Sequence, residues 1–274
     1  MKGKRILITG AAGAVGSELV RQLYKANKIY GIDINESDLF MLSQETGIPI
    51  RVGDIRDKDT VRDIFSDYKP QVVINAAAYK HVAPMEYVPL EAIKTNILGL
   101  YNVLHYSKIY PIEKFVFIST DKAINSTSIM GATKRVGEIM TKNSGKGYVV
   151  VRFGNVLGSR GSVIPIWQKQ IDNHQPITIT DEKMERYFMT MEGACSLVIE
   201  AAEIGQGGEI IVLEMGRKIN ILDLAKKIIE ESHRDIPIKI IGRKPGEQLT
   251  EKLMSEEEEK RAIKKGNFWI INEV

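Results

Sequence analysis

A glycine-rich segment near the start of the chain has the spacing needed to bind a phosphate group. Gly10, Gly13 and Gly16 are spaced GxxGxxG between a short β-branched segment and a helical pattern. Glycines at this spacing let the backbone approach a pyrophosphate, and the following helix presents free N–H groups to that anion. The pattern predicts a dinucleotide site, although glycines also serve ordinary turns. The rest of the loop would contribute to the same site: Ala12, Ala14 and Val15.

Acidic residues follow the next two predicted strands. Asp33 ends the second strand, where a carboxylate would bind the adenosine ribose hydroxyls and repel a 2′-phosphate, which favours NAD over NADP. Asp54 follows the third strand and could bind the adenine amino group or cap a helix, two roles that are compatible. Small residues after the fourth strand would let the dinucleotide lie against the sheet edge. The neighbouring predicted cofactor contacts are Ile34, Ile55, Ala76, Ala77 and Ala78.

Two hydrophobic periods alternate through the first half of the chain. Short apolar runs alternate with segments of helical spacing, such as Val15 to Ala26. This alternation implies parallel strands covered on both faces, and therefore an α/β, Rossmann-type doubly wound sheet. The predicted strands are Arg5–Thr9, Ile29–Asp33, Ile50–Gly53, Val72–Asn75, Phe115–Ser119 and Tyr148–Arg152.

The pattern loosens after about residue 154, where prolines separate short elements. Residues 1–154 are predicted to form the dinucleotide-binding domain, together with returning segments of the later chain. Residues 155–274 are predicted to form mainly a smaller substrate-binding lobe over the strand ends, where α/β proteins bind ligands. The charge run Glu256–Lys260 is interpreted as a solvated helix surface without a role.

Composition excludes several classes of protein. The 274 residues carry 38 Lys+Arg and 35 Asp+Glu, and this mixed charge argues against a nucleic-acid binder. A single cysteine, Cys195, rules out a disulfide framework and fits a reducing cytoplasm. No apolar run approaches the roughly 20 residues that span a bilayer, and no His/Cys/Asp cluster has metal-ligand spacing. We expect a soluble cytoplasmic protein without a metal.

Five ordered stretches carry a specific resemblance: GAAGAVG, AAAYKHVAPMEYVPLEAIKTN, FISTDKAINSTSIMGATKR, VRFGNVLGSRGSVIP and ERYFMT. With them the chain resembles the extended short-chain dehydrogenase/reductases, and more narrowly the UDP-N-acetylglucosamine 4,6-dehydratases of bacterial polysaccharide biosynthesis. KPGEQL extends the match to about residue 249. The resemblance implies NAD-mediated oxidation at sugar C4, elimination of water across C5–C6 and hydride return to C6. The chain resembles only the catalytic domain of these dehydratases, because the large members of the family commonly carry an N-terminal membrane region as well.

One departure from the wider superfamily concerns the catalytic YxxxK pair. The tyrosine position is Met130, whose thioether cannot exchange a proton. Methionine here resembles the large branch that retains configuration at C5. The resemblance implies that Asp121 protonates the departing C6 hydroxyl and that Lys122 removes the C5 proton, which requires burial or cationic neighbours to lower the pKa of Lys122. Thr120 could hydrogen-bond the C4 oxygen.

The resemblance also implies further ligand contacts. Lys134 would bind the nicotinamide ribose, with a surface lysine as the alternative, and the other implied cofactor contacts are Lys80, Asn96, Ser119 and Phe153. Arg186 would pair with a substrate phosphate or form a surface salt bridge to Asp181 or Glu182. Relatives usually read GLRPGE where this chain has Lys244, so the diphosphate arginine is a lysine and Arg243 could compensate. The remaining predicted substrate contacts are Lys80, His81, Glu86, Asn155, Ser162, Val163, Ile164, Thr178, Thr180 and Glu247.

Two other functions compete with the dehydratase. A UDP-sugar 4-epimerase shares the fold and the C4 oxidation, but it has no C5–C6 elimination for Asp121 and Lys122 to drive. A non-catalytic NAD(H)-binding protein is compatible with the missing tyrosine. The resemblance also implies a homo-oligomer, a dimer or larger.

Overall fold

The computed structural model of the chain describes residues 1–159 and 161–272. Its strands are β1 Arg5–Thr9, β2 Lys28–Asp33, β3 Ile50–Val52, β4 Val72–Asn75, β5 Lys114–Thr120, β6 Tyr148–Phe153, β7 Asn155–Val156, β8 Ile177–Ile179, β9 Glu185–Arg186, β10 Phe188–Met189, β11 Ile210–Leu213, β12 Ile219–Asn220, β13 Ile238–Ile240, β14 Ile263–Lys265 and β15 Phe268–Ile271. The six strands predicted in the first half are confirmed to within one residue at each end.

The helices alternate with these strands. They are α1 Ala14–Leu23, α2 Glu36–Thr46, α3 Lys58–Tyr68, α4 Val82–Tyr87, α5 Pro89–Ile93, α6 Leu100–Ile109, α7 Ile129–Lys142, α8 Val163–Asp172, α9 Met191–Ile204, α10 Ile221–Ser232 and α11 Glu256–Arg261. A π-helical segment, Lys94–Gly99, joins α5 to α6, and a 3₁₀ turn, Asp121–Ala123, follows β5. Within residues 1–159 and 161–272 we find no helix with the length and apolar character that crossing a bilayer requires.

Nine strands form the central sheet in the order β14-β15-β11-β6-β5-β4-β1-β2-β3. The strands from β3 to β11 in this order run parallel, and β15 runs antiparallel to both of its neighbours. Parallel strands are buried on both faces, and every residue of β4 and of β6 is buried accordingly. This doubly wound α/β sheet confirms the predicted fold class, and it brings the carboxyl ends of β1, β4 and β5 to one edge.

The later part of the chain contributes to both the sheet and a separate small core. Strands β11, β14 and β15 return to the sheet, and β14 and β15 were not predicted. The lobe has its own apolar cluster around Trp167, which includes Ile171, Ile177, Ile179 and Ile221. The interpretation of 256–260 as solvated surface is wrong for Glu258, which is buried while its helical neighbours are exposed.

Candidate active site

The turn that follows β5 buries an acid and an amine side by side. Thr120 caps the 3₁₀ turn, and its hydroxyl donates a hydrogen bond to Asp121 Oδ1 at 2.9 Å. Lys122 Nζ lies 3.0 Å from the same carboxylate oxygen. The Asp121 side chain is fully buried, whereas 20% of the Lys122 side chain is exposed. The pair therefore forms an ion pair at the sheet edge, with the lysine nearer the solvent.

A second carboxylate completes this cluster and was not predicted from the sequence. Glu251 is buried, and its Oε2 accepts a hydrogen bond from Lys122 Nζ at 2.9 Å. Asn155 Oδ1 also accepts from Lys122 Nζ, at 3.2 Å. The ammonium of Lys122 thus has two carboxylates and one amide oxygen as partners.

The electrostatics of the cluster contradict one expectation. Burial alone would lower the pKa of Lys122, but the charges of Asp121 and Glu251 outweigh it and raise this pKa above its ordinary value. Burial would raise the pKa of Asp121, but the Lys122 ammonium holds it below its ordinary value. Burial raises the pKa of Glu251 to about 7. The expectation that burial or cationic neighbours lower the pKa of Lys122 is wrong in this state, and Glu251 is the carboxyl that titrates near neutrality.

Helix α7 starts directly against this turn. A β-carbon added to Gly131 would lie 2.2 Å from the Lys122 carbonyl oxygen, so only glycine allows this close approach. Ser128 caps the helix by accepting from the Gly131 N–H. Met130 is 2% exposed and packs with Met85 and Ala92 in a small apolar cluster. Its side chain therefore has a packing role.

Lys134 is not the surface lysine of the alternative interpretation. It is buried on α7, and its ammonium lies 4.3 Å from the centre of the Phe117 ring. Burial lowers the pKa of Lys134 to about 8. A buried amine of this kind retains donors for a ligand, which fits the predicted role at a ribose.

The glycine-rich loop has the predicted tight geometry. Gly10 has φ +68°, and a β-carbon there would lie 2.6 Å from the Ala77 backbone nitrogen. The N-cap residue of helix α1 is Gly13, which has no side chain to cap the helix, whereas Asn35 and Asp57 cap α2 and α3. Its first N–H groups thus lack a side-chain partner, which is the arrangement that suits a bound anion.

Most of the other predicted polar cofactor residues form hydrogen bonds or ion pairs with other groups of the protein. Asp33 accepts from the Ala12 N–H at 3.0 Å and from the Asn35 N–H at 2.9 Å. The helix-cap alternative for Asp54 is wrong, because Asp57 caps α3 and Asp54 pairs with Arg56 at 2.6 Å.

Asn96 and Ser119 are buried and bonded to protein partners. The Asn96 amide bonds to the Tyr79 backbone in both directions and to Thr133, so it supports the 76–80 segment, and its cofactor contact stays a prediction. The Ser119 hydroxyl donates to Glu138 at 2.6 Å. Of the apolar or small positions, Ile55 and Phe153 are in the core, Ala76 to Ala78 are half-buried, and Ile34 is exposed.

Arg186, a predicted substrate residue, binds the protein instead. The guanidinium of Arg186 is buried and donates to the carbonyls of Glu185, Gln248 and Leu249. Its Nε lies 3.4 Å from Glu251, so both the phosphate contact and the surface salt bridge to Asp181 or Glu182 are wrong for this state.

Glu86 also has a protein partner, because its Oε1 accepts a hydrogen bond of 2.7 Å from the Ile129 N–H at the start of α7. Glu86 therefore has a helix-capping contact through one oxygen, and its sugar contact stays a prediction. Thr178 bonds to Gln170 through both its N–H and its hydroxyl, and the Thr180 hydroxyl donates to Met184.

An open groove of about 460 Å³ lies next to the cluster and is lined by Thr127, Arg243, Gly246, Glu247, Gln248, Leu249 and Thr250. Arg243 lines this groove and its Nε lies 3.7 Å from Asp181, and Lys244 is exposed beside it. Compensation for Lys244 by Arg243 stays a prediction. Glu247 accepts from the Lys244 N–H and closes the turn between them.

A further group of predicted substrate contacts lies at the start of α8. Ser162 begins this helix, and its buried hydroxyl has no hydrogen-bond partner among the described residues. Val163 and Ile164 form the first turn and are half-buried. His81 is exposed and packs against Gly161, where an added β-carbon would lie 2.7 Å from its ring; Lys80, next to it, is exposed. Partial desolvation of the ring by its packing, with the nearby charge of Lys80, lowers the pKa of His81.

Solved structures support this architecture. The X-ray structure of Pen from Bacillus thuringiensis superposes with a TM-score of 0.93 and 36% identity, covering 99% of this chain and 88% of that chain. The UDP-glucose 4-epimerase of Thermus thermophilus, in complex with NAD, has a TM-score of 0.83 at 24% identity, covering 91% of this chain and 90% of that chain. The similarity to the epimerase structure shows that this chain and the epimerase share a fold.

Curated relatives match over nearly the whole chain. The capsular polysaccharide biosynthesis protein CapD of Staphylococcus aureus is 43% identical over 94% of this chain, which spans only 46% of that protein. The inverting UDP-N-acetylglucosamine 4,6-dehydratase of Campylobacter jejuni (serotype O:2) is 34% identical over 98% of this chain and 83% of its own length. The family model described as polysaccharide biosynthesis protein matches residues 6–273. The chain therefore belongs to the polysaccharide biosynthesis protein family, on a Rossmann fold of the short-chain dehydrogenase/reductase type.

Proposed function

We propose that the protein is a UDP-N-acetylglucosamine 4,6-dehydratase. In this reaction C4 of the sugar is oxidised, water is eliminated across C5–C6, and the hydride returns to C6, which gives a 4-keto-6-deoxy sugar. The observation that carries the proposal is the cluster of Asp121, Lys122 and Glu251 at the carboxyl end of β5. Elimination needs a base and an acid on one substrate, and this cluster holds both kinds of group.

NAD is the cofactor that the described residues fit. The uncapped start of α1 offers backbone N–H groups to a pyrophosphate, and Asp33 stands at the end of β2 for the ribose. Lys134 would hold the second ribose. The bound cofactor supplies the redox step, and the protein supplies the acids, the bases and the orientation of the sugar.

The substrate diphosphate would lie between the two parts of the lobe that face the cluster. The start of α8 offers backbone N–H groups and the unpartnered Ser162 hydroxyl, and Arg243 lines the groove on the other side. Arginine pairs well with phosphate oxygens, whereas Lys244 adds only charge. A homo-oligomer stays a prediction.

Met130 gives a prediction that separates this mechanism from one that needs a tyrosine base. Met130→Leu keeps the volume of the buried cluster, so we expect a loss below about 1.5 kcal/mol in stability. Because Met130 moves no proton in this mechanism, the turnover rate should stay within about twofold of wild type. Thermal unfolding and steady-state assays measure both effects. A loss of about 100-fold in turnover with an unchanged melting temperature would contradict the packing role.

The proposal is tested by incubating the protein with UDP-N-acetylglucosamine and NAD and following the sugar by proton NMR. We expect a new C6 methyl signal and loss of the C6 hydroxymethyl protons. Formation of UDP-N-acetylgalactosamine without a methyl signal would identify a 4-epimerase. Tight dinucleotide binding without turnover of any UDP-sugar would identify a non-catalytic protein.

A further inference from the structure

Glu251 raises a question that the proposed function leaves open. The elimination needs Lys122 as a neutral amine, because an ammonium cannot accept the C5 proton. Between two carboxylates, however, Lys122 is stabilised as the ammonium. Lys122 therefore needs an acceptor for one of its protons before the amine can act, and Glu251 already accepts a hydrogen bond from its Nζ.

We propose that Glu251 accepts the proton of the Lys122 ammonium and holds it while the neutral amine acts on C5; this inference rests on the proposed function. Direct transfer is possible because Glu251 Oε2 and Lys122 Nζ already share a hydrogen bond of 2.9 Å. The transfer converts the buried Lys122–Glu251 ion pair into two neutral groups, and it costs less in a dry site than in water because neither of these two groups then carries a charge. Asp121 stays ionised and keeps the hydrogen bond from the Thr120 hydroxyl. Glu251 acts through Lys122 and is therefore a positioning residue.

Asp121 is the poorer acceptor of the two carboxylates. Its Oδ1 accepts hydrogen bonds from both Thr120 and Lys122, and these stabilise the ionised form. The charged groups that face Glu251 are Lys122, Asp121 and Arg186. Arg186 donates mainly to backbone carbonyls and lies farther from Glu251, at 3.4 Å. Burial raises the pKa of Glu251 to about 7, whereas the pKa of Asp121 is lowered.

Every proton in the resulting cycle has a donor and an acceptor. Glu251 first takes a proton from Lys122. NAD held by the glycine-rich loop and Lys134 would supply the oxidation of C4 by accepting its hydride, and the O4 proton would pass through the Thr120 hydroxyl to Asp121. Lys122 then takes the C5 proton, the electron pair of that bond forms the C5–C6 double bond, and the C6–O bond breaks as Asp121 protonates the leaving hydroxyl to water.

The return half restores the starting state. The reduced cofactor would supply the hydride for C6, and the electron pair of the double bond takes a proton from Lys122 at C5. Glu251 then gives its stored proton back to Lys122. The substrate has lost one water, the hydride has moved from C4 to C6, and all three side chains end in the ionisation states in which they began.

This assignment predicts a particular pH dependence. Glu251 can accept a proton only when it is ionised, so wild-type turnover should fall by about tenfold per unit as the pH drops below about 7, and it should level off above. In Glu251→Gln the amide cannot take the proton, and Lys122 must lose it to solvent. Because the charge of Asp121 still favours the Lys122 ammonium in this variant, its turnover should keep rising into the alkaline range.

The test is the pH profile of kcat for wild type, Glu251→Gln, Glu251→Asp and Glu257→Gln. Glu257 is an exposed glutamate on α11 and serves as the matched control, which should behave as wild type. We expect Glu251→Gln to lose at least about 100-fold in kcat at neutral pH and to recover part of it at high pH. Glu251→Asp keeps a carboxylate, so it should keep the wild-type profile at a lower rate.

The inference is overturned if Glu251→Gln keeps the wild-type kcat and profile, or if Glu251→Asp shows the alkaline profile expected of the amide. If Glu251→Gln does not fold, the profile of Glu251→Asp decides alone between these outcomes. A wild-type protein that forms no methyl product contradicts the proposed function, which distinguishes that failure from failure of the role of Glu251.

Discussion

Lys122→Met is expected to stop dehydration almost completely, with a fall in kcat of about 10²–10⁴-fold. Methionine fills the space of the lysine stem but cannot exchange a proton. Without the ammonium, Asp121 and Glu251 face each other as two buried carboxylates, which favours one shared proton between them. Steady-state turnover measures the loss, and calorimetry should show UDP-N-acetylglucosamine binding within about tenfold of wild type, because the change is confined to the reacting end of the sugar.

Lys252→Met is the matched control for this variant. Lys252 is exposed, one residue beyond Glu251, and forms only a long contact of 3.5 Å with Glu256. Such a surface pair contributes little, so the control should keep wild-type turnover. Unchanged dehydration in Lys122→Met would show that another group removes the C5 proton.

Of the substitutions predicted for this protein, Arg152→Met is expected to lower the free energy of unfolding most. The guanidinium of Arg152 is fully buried and bonds to both oxygens of Glu138 and both oxygens of Glu258, at 2.8–3.1 Å. Removing one partner of a buried ion network leaves unpaired charge and costs about 3–5 kcal/mol. For a chain of this size that corresponds to a fall in melting temperature of about 6–20 °C, measurable by calorimetry.

Arg135→Met tests whether burial causes this effect. Arg135 binds the same two glutamates, at 2.8 and 3.2 Å, but 43% of its side chain is exposed. A partly solvated ion pair contributes about 0–1 kcal/mol to stability, so the melting temperature of Arg135→Met should fall by a few degrees at most. Equal losses in the two variants would contradict the role assigned to the buried network.

The parts of the site that follow strand ends could be predicted from the sequence. The buried strands β1, β4 and β5 are short apolar runs, and parallel strands place the residues after them at one edge. Asp121 and Lys122 follow β5 directly, so their neighbourhood was predictable from the alternation of elements.

Glu251 could not be predicted in the same way. It lies 129 residues after Lys122 in a segment without regular secondary structure, so no periodicity points to it. The pKa of Lys122 was predicted in the wrong direction for the same reason, since its sign depends on a carboxylate that only the tertiary fold brings close.

Some sequence-based predictions were wrong because charged residues bind other groups of the protein. An arginine that bonds to backbone carbonyls has the same sequence appearance as one that binds phosphate, and Arg186 is of the first kind. Glu258 stands in a run of four glutamates, and only its position on α11 turns it towards the buried Arg152.

The most direct test of the reaction assigned to this site follows the hydrogen atoms. UDP-N-acetylglucosamine that carries deuterium at C4 is converted in ordinary water, and the product is examined by NMR and mass spectrometry. We expect the C4 deuterium in the new C6 methyl group, and a companion reaction of unlabelled substrate in D₂O should place solvent deuterium at C5. Deuterium that remains at C4 of an epimerised sugar, with no methyl group formed, would contradict the dehydratase account.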